Sequence, residues 1–156
     1  MMNTSERTPP RPNAKEHWLI LNVGVRVDKL GVPTDDFDLL DTDQTGYVHS
    51  LPRREIDLSE VEQKVLIVFT LVDKLGLKFP QAPSDCIGIH PSETCPDSPV
   101  NSTGSMFRRE GLSKDQRQLA VMDQNPGNGR NYRFALFMED SRHHVVAVCD
   151  PRIVNN

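Results

Sequence analysis

The feature that most constrains the fold is the alternation of apolar side chains in residues 131–156, "NYRFALFMEDSRHHVVAVCDPRIVNN". Period-two alternation is typical of β-strands, because successive side chains point to opposite faces. Residues 131–139 and 144–149 both alternate, with a polar turn between them, and both of their faces carry apolar residues. The pattern predicts a β-hairpin inside a sandwich rather than at its edge. Pro151 lacks an N–H group and is expected to break the pairing, so that "RIVN" resumes as an edge strand.

A second alternating segment lies near the start of the chain, in "HWLILNVGVRVDKLG". The apolar positions of its predicted strand are Leu19, Leu21, Val23, Val25 and Val27. The turn "DKLGVP" ends it, and the following acidic stretch, 34–55, is interpreted as turn-rich. "CIGI" predicts a short strand, and residues 91–104 a long loop that is either mobile or functional. "RQLAVMDQNPGNG" predicts a strand followed by a strong turn.

Residues 60–75 fit two structures. Ser59 and Glu62 match a capping box, and valines recur at helical spacing, which favours a helix. The run "VLIVFTLV" is rich in β-branched residues, which favours a strand buried on both faces. The pentapeptide "VDKLG" occurs at 27–31, after the first strand, and again at 72–76. Two equivalent turns would each follow a strand, so we predict a strand over about 64–73.

The predicted fold class is therefore all-β: an antiparallel, immunoglobulin-like β-sandwich of about seven strands. Its single domain spans residues 16–156. Residues 1–15 contain Pro9, Pro10 and Pro12 within a polar segment, and are expected to form a disordered tail.

Charge and composition exclude several classes of function. The formal net charge is −4 and the basic residues occur only in small groups, which disfavours nucleic acid as a partner. No apolar run approaches the ~20 residues of a membrane-spanning helix. The three cysteines and the absence of an apolar secretory signal favour a reducing cytoplasm over a disulfide framework.

Several residues of the last third of the chain resemble a known family. Tyr132 and Phe134 form an aromatic strand that follows a turn at Asn125, and Asp150-Pro151 with Ile153 forms an Asp-Pro-x-Ile strand. This pattern is similar to the AidA/PixA inclusion-body proteins, which are small bacterial β-sandwich proteins. The resemblance implies a non-enzymatic β-sandwich and supplies no catalytic residue.

Two groups of residues could hold a metal ion. "DTDQTGYV" resembles the start of a calcium loop, with Asp41, Asp43, Thr45 and Gly46 at ligand-loop positions, but Pro52 occupies the place of the bidentate carboxylate. An acidic turn is the preferred interpretation. Thiolates and imidazoles suit zinc, although their spacing here is not that of a common structural site. The candidate metal ligands of this second group are Cys86, His90, Cys95, His143 and His144.

The sequence favours a non-enzymatic binding or assembly module of a bacterial type, located in the cytoplasm. The expected partner is a protein, either another copy or a different chain, and no cofactor is expected. A metal-binding protein that uses the Cys/His group is the first alternative. A small enzyme is the second alternative. Its type would be unrecognised, because the sequence contains no G-x-S-x-G or phosphate-loop motif.

Overall fold

The computed structural model describes residues 16–42, 47–49, 55–72, 75–91, 94–103, 106–127, 129–148 and 152–156. Over these residues the chain is nearly all β, which confirms the predicted fold class. The expected disordered tail, 1–15, lies outside the described residues. The elements are β1 Glu16–Val27, β2 Pro33–Asp41, β3 Val48–His49, β4 Glu55–Asp57, β5 Lys64–Leu71, a 3-10 turn Pro83–Asp85, β6 Ile87–His90, β7 Phe107–Leu112, β8 Gln118–Asp123, β9 Asn131–Glu139, β10 Val145–Val148 and β11 Arg152–Val154.

The strands form two sheets. Sheet A has the order β2-β1-β5-β8-β7, and sheet B has the order β10-β9-β11-β4-β3, with β6 pairing with β9. Two pairs are parallel, β1 with β5 and β4 with β11, so the expectation of purely antiparallel sheets is wrong. The estimate of about seven strands is also low, because eleven occur among the described residues. Period-two alternation is the same in parallel and antiparallel strands, so it carries no information on direction. The immunoglobulin-like strand arrangement stays a prediction.

One hydrophobic core lies between the two sheets. Its main contributors are the alternating residues of β1, β5 and β9. They are Leu19, Leu21, Val23, Val25, Val65, Ile67, Phe69, Leu71, Tyr132, Phe134, Leu136 and Met138. The faces predicted for these strands are confirmed except at Val27, which is 45% exposed and follows a register shift after Val25. Phe107 of sheet A contacts Tyr132 of sheet B edge to face, with ring centroids 5.0 Å apart. Burying each such side chain contributes about 1.5–3 kcal/mol, which makes this layer the main source of stability.

The strand prediction for residues 64–73 is confirmed by β5. The repeated pentapeptide explains why: Gly31 and Gly76 end its two copies with φ values of 79° and 73°. Such positive φ values are easily adopted by glycine, and at Gly31 they form part of the turn that joins β1 to β2. Because β1 and β5 are parallel neighbours, both strands end at the same end of sheet A.

Four strands were not predicted: β2, β3 and β4, which lie in or directly after the acidic stretch 34–55, and β7. The acidic stretch 34–55 begins with the nine-residue strand β2, whose Phe37 and Leu39 are buried in the core. Its many aspartates obscured this short alternation. Strand β7 has the sequence "FRREGL", in which only Phe107 is fully buried. Its apolar pattern is therefore too weak to predict a strand.

The closing hairpin is confirmed, but its surroundings differ from expectation. Strand β9 pairs antiparallel with β10, and Phe134 is buried whereas Arg133 is only half-buried. Strand β10 lies at the edge of sheet B, and β11 lies between β9 and β4 rather than at an edge. The β4–β11 pairing joins residues about a hundred positions apart, and no local pattern predicts it. The expected break at Asp150-Pro151 lies outside the described residues.

The long segment after β6 runs beside this strand and lies over Gly88. The Ile89 backbone N–H donates to the Val100 carbonyl, and the Ser102 backbone N–H donates to the Ile89 carbonyl. Arg109 donates to the carbonyls of Ile87 and Pro99, which ties the segment to β7. The described part of the expected loop 91–104 is therefore packed against the sheet. No helix in the described part of the chain is long and apolar enough to cross a membrane.

Candidate functional site

The outer face of sheet A carries two apolar rows across its three central strands. The register places Trp18 beside Leu66 and Leu66 beside Met122, which forms the first row. The second row is offset by two residues along each strand and consists of Ile20, Val68 and Ala120. We call these six residues the outer patch. All of them point away from the core, since their neighbours along each strand are buried in it.

A polar row borders the outer patch. Asn22 and Thr70 are neighbours in the register, and Gln118 donates a hydrogen bond to the Thr70 hydroxyl at 3.1 Å. Of the outer patch, Val68 and Met122 are buried, and the other four side chains are half-buried. The result is a flat apolar surface with a polar border.

A groove of about 290 Å³ continues the outer patch toward the edge of sheet A. Strand β7 has an irregular register with β8 between Arg109 and Gly111, where Glu110 is the extra residue. Extra residues of this kind bend an edge strand and interrupt its ladder. The groove is lined by Leu66, Val68, Glu110, Gly111, Leu112, Ser113, Gln118 and Ala120.

A second, polar cleft of about 560 Å³ lies at one end of the molecule. Its lining consists of Glu62, Gln63, Lys64, Gln124, Asn125, Pro126, Gly127 and Asn156. Asn125 organises it, with a φ of 45° in the predicted turn "NPGNG". The Asn125 amide donates to the carbonyls of Val61 and Gln63 at 2.7 and 3.1 Å, and its oxygen accepts from the Asn156 N–H at 2.8 Å.

Directly beneath this cleft, Asp123 is completely buried at the end of β8. Its Oδ1 accepts hydrogen bonds from the Asn125 N–H at 3.0 Å and from Asn155 Nδ2 at 2.9 Å. Burial raises the pKa of Asp123 to about 7, against the opposing effect of these two hydrogen bonds. Sequence reasoning missed this residue. The alternation along β8 could have identified it, because alternate residues share a face and Asp123 therefore lies on the core face with Leu119 and Val121.

The candidate metal ligand Cys86 is a core residue. It is free, and its thiol donates to the carbonyls of Pro80 and Ala82, both at 3.3 Å. Burial, followed by the charge of Asp85, raises the pKa of the Cys86 thiol to about 12. A thiol of this kind is protonated at neutral pH and is a poor metal ligand.

The other Cys/His candidates lie in two separate places. His90 and Cys95 line a shallow pocket of about 220 Å³, and Cys95 is disulfide-bonded, which removes its thiolate. His143 and His144 are exposed in the β9–β10 turn, 3.5 Å from Glu139 and Asp140 respectively. Among the described residues, no three His, Cys, Asp or Glu side chains are grouped so that they could hold a metal ion.

The disulfide at Cys95 differs from the expectation of reduced cysteines. That expectation rested on the odd number of cysteines and on the N-terminal sequence, and neither reports which thiols approach each other in space. In the suggested calcium loop, Asp41 ends β2, whereas Asp43, Thr45 and Gly46 lie outside the described residues.

No protein-family model, curated protein or solved structure matches this chain. The resemblance to the AidA/PixA proteins therefore stays a prediction.

Proposed function

We propose that the chain is a non-enzymatic binding module, and that its outer patch contacts a partner protein. The observation that carries this proposal is the pair of apolar rows on the outer face of sheet A. A sheet face that is not covered normally alternates to polar residues, as sheet A does at Asn22 and Thr70. Apolar surface with a polar border is typical of protein interfaces.

The composition of the outer patch supports a protein partner. Trp18 and Met122 belong to residue types that are enriched at interface cores, and the patch itself carries no charge. The groove beside β7 adds a recess into which a partner side chain could insert. The partner is another copy of the chain or a different protein, and the outer patch makes the contact in both cases.

The test compares two substitutions on β5. Leu66→Lys places a charge within the outer patch, and Thr70→Lys places the same charge in the polar row. Both side chains point outward and are half-buried, so Thr70→Lys is a matched control. Equal melting temperatures would establish that both variants fold.

The readouts are the native mass over a concentration series and co-purification from the source cell. We expect the wild type and Thr70→Lys to form the same assembly, and Leu66→Lys to lose it. The proposal would be refuted if the wild type stayed monomeric and co-purified with the same proteins as Leu66→Lys.

A further inference from the structure

The two sheets are joined at one end by a pair of buried polar side chains. Asp123 is the last residue of β8 in sheet A, and Asn155 directly follows β11 in sheet B. Asn155 Nδ2 donates to Asp123 Oδ1 at 2.9 Å, and the two residues are 2% and 0% exposed, respectively. The contact therefore connects the C-terminal segment to the opposite sheet within the molecule.

Each residue of this pair also has a buried oxygen that lacks a donor. Asp123 Oδ2 and Asn155 Oδ1 are both unpaired within the described structure. Both atoms are acceptors, so neither can satisfy the other while Asp123 is ionised. An unsatisfied buried polar atom destabilises the folded state, and an ionised one does so more strongly.

A single proton on Asp123 Oδ2 would satisfy both atoms. The carboxylic acid would then donate through Oδ2–H to Asn155 Oδ1, while the Asn155 amide continues to donate to Asp123 Oδ1. We propose that Asp123 is a proton switch: its neutral acid forms this two-way pair with Asn155, and loss of the proton weakens the attachment of β11 to sheet A.

The surroundings of Asp123 favour the neutral form. Burial is the largest cause of its raised pKa, and the hydrogen bonds from Asn155 and Asn125 act in the opposite direction. No nearby cation is among these causes. The charged or titratable groups on the elements around it are Lys64 of β5, Arg108, Arg109 and Glu110 of β7, Tyr132, Arg133 and Glu139 of β9, Arg152 of β11, and Glu62 and Arg130 of the adjoining segments. Of these, Arg108 pairs with Glu110 at 3.2 Å, and Arg152 approaches Glu55 at 4.0 Å.

The segment held by this pair also forms one wall of the polar cleft. The Asn155 backbone N–H donates to the Arg130 carbonyl, and the Asn156 side chain donates to the Val61 carbonyl at 2.8 Å. An ionised Asp123 would face the Asn155 carbonyl oxygen with no proton between them. The repulsion would loosen Asn155 and Asn156 together, so the cleft would change shape as the pH rises.

The direction of the pH dependence follows from linkage. Asp123 binds its proton below a pKa of about 7 in the folded protein, but only below its ordinary pKa of 3.8 in the unfolded chain. Its contribution to stability is therefore complete below pH 3.8, declines as the pH rises toward 7, and is lost above that.

The decisive variant is Asp123→Asn, which keeps a donor at the Oδ2 position at every pH. Chemical unfolding of the wild type and of this variant should be compared from about pH 4 to pH 9. The unfolding constant of the wild type, divided by that of Asp123→Asn, should rise about tenfold per pH unit up to about pH 7 and then level off. Glu62→Gln, which removes an exposed carboxylate from the same cleft, is the control and should keep the wild-type pH dependence.

A spectroscopic measurement covers the case in which Asp123→Asn does not fold. The infrared spectrum of the wild type at about pH 5.5 should contain the carbonyl band of a protonated carboxylic acid, since an ordinary aspartate is ionised there. This band should disappear by about pH 8.5, and amide exchange at Asn155 and Asn156 should accelerate in parallel. A carboxylate at pH 5.5, or equal pH dependence of the wild type and Asp123→Asn, would overturn the proposal and indicate a bridging water or cation.

Discussion

The ring of Phe69 on β5 packs against the ring of Phe134 on β9, with centroids 5.4 Å apart and planes tilted by 47°. Both side chains are completely buried, so this contact joins the two sheets near the middle of the core. Replacing Phe69 with alanine should lower the free energy of unfolding by about 3–5 kcal/mol, because a large cavity would remain. Denaturant unfolding measures the loss. Thr70→Ala, one residue along on the outer face, should change stability far less, and equal losses would contradict the assigned faces of β5.

The assignment of β5 also shows what sequence alone can establish. Alternation identified β1, β9 and β10, whereas β5 was identified by its run of β-branched residues and by the repeated pentapeptide. Strand direction and the β4–β11 pairing could not be inferred, because they depend on contacts between distant segments. The metal candidates were chosen by residue type, and residue type does not report that Cys86 is enclosed by carbonyl groups.

Gly88 on β6 tests the packing of the long segment over sheet B. A Cβ atom at this position would overlap the Ser98 carbonyl oxygen and lie 2.9 Å from Pro96 Cβ. Gly88→Ala should therefore displace this segment and cost about 1–3 kcal/mol, as overpacking does. Proteolysis between residues 91 and 103 should become faster.

Gly24→Ala is the matched control for this substitution. The nearest atom to its added Cβ would be Val72 Cγ2 at 3.8 Å, which is an ordinary contact. If both alanine variants were equally stable and equally resistant to protease, the segment would not be packed against Gly88.

The cysteines should differ in their reactivity. Cys86 is buried with a pKa of about 12, so alkylating reagents should not modify it at neutral pH until the protein unfolds. Cys95 should resist alkylation even in the unfolded protein unless a reductant is added, because it is disulfide-bonded. Peptide mapping by mass spectrometry distinguishes the two sites. Alkylation of Cys95 in unreduced protein would show that the disulfide is absent.

The same experiment bears on the cellular compartment. Stable disulfides are rare in a reducing cytoplasm, so an oxidised Cys95 in protein trapped rapidly from its source cell would favour an oxidising location. A fully reduced Cys95 in that sample would favour the cytoplasmic location expected from the sequence.

Fluorescence of Trp18 tests the proposed interface most directly. It is the single tryptophan of the chain, and it lies in the outer patch, so the emission reports on this surface alone. Quenching by acrylamide should be measured in dilute free protein and in the assembled state, either self-associated or bound to its partner. We predict that assembly shifts the emission to shorter wavelength and reduces quenching, and that Leu66→Lys abolishes both changes. Unchanged emission and quenching in a verified assembly would contradict the assignment of the outer patch as the binding surface.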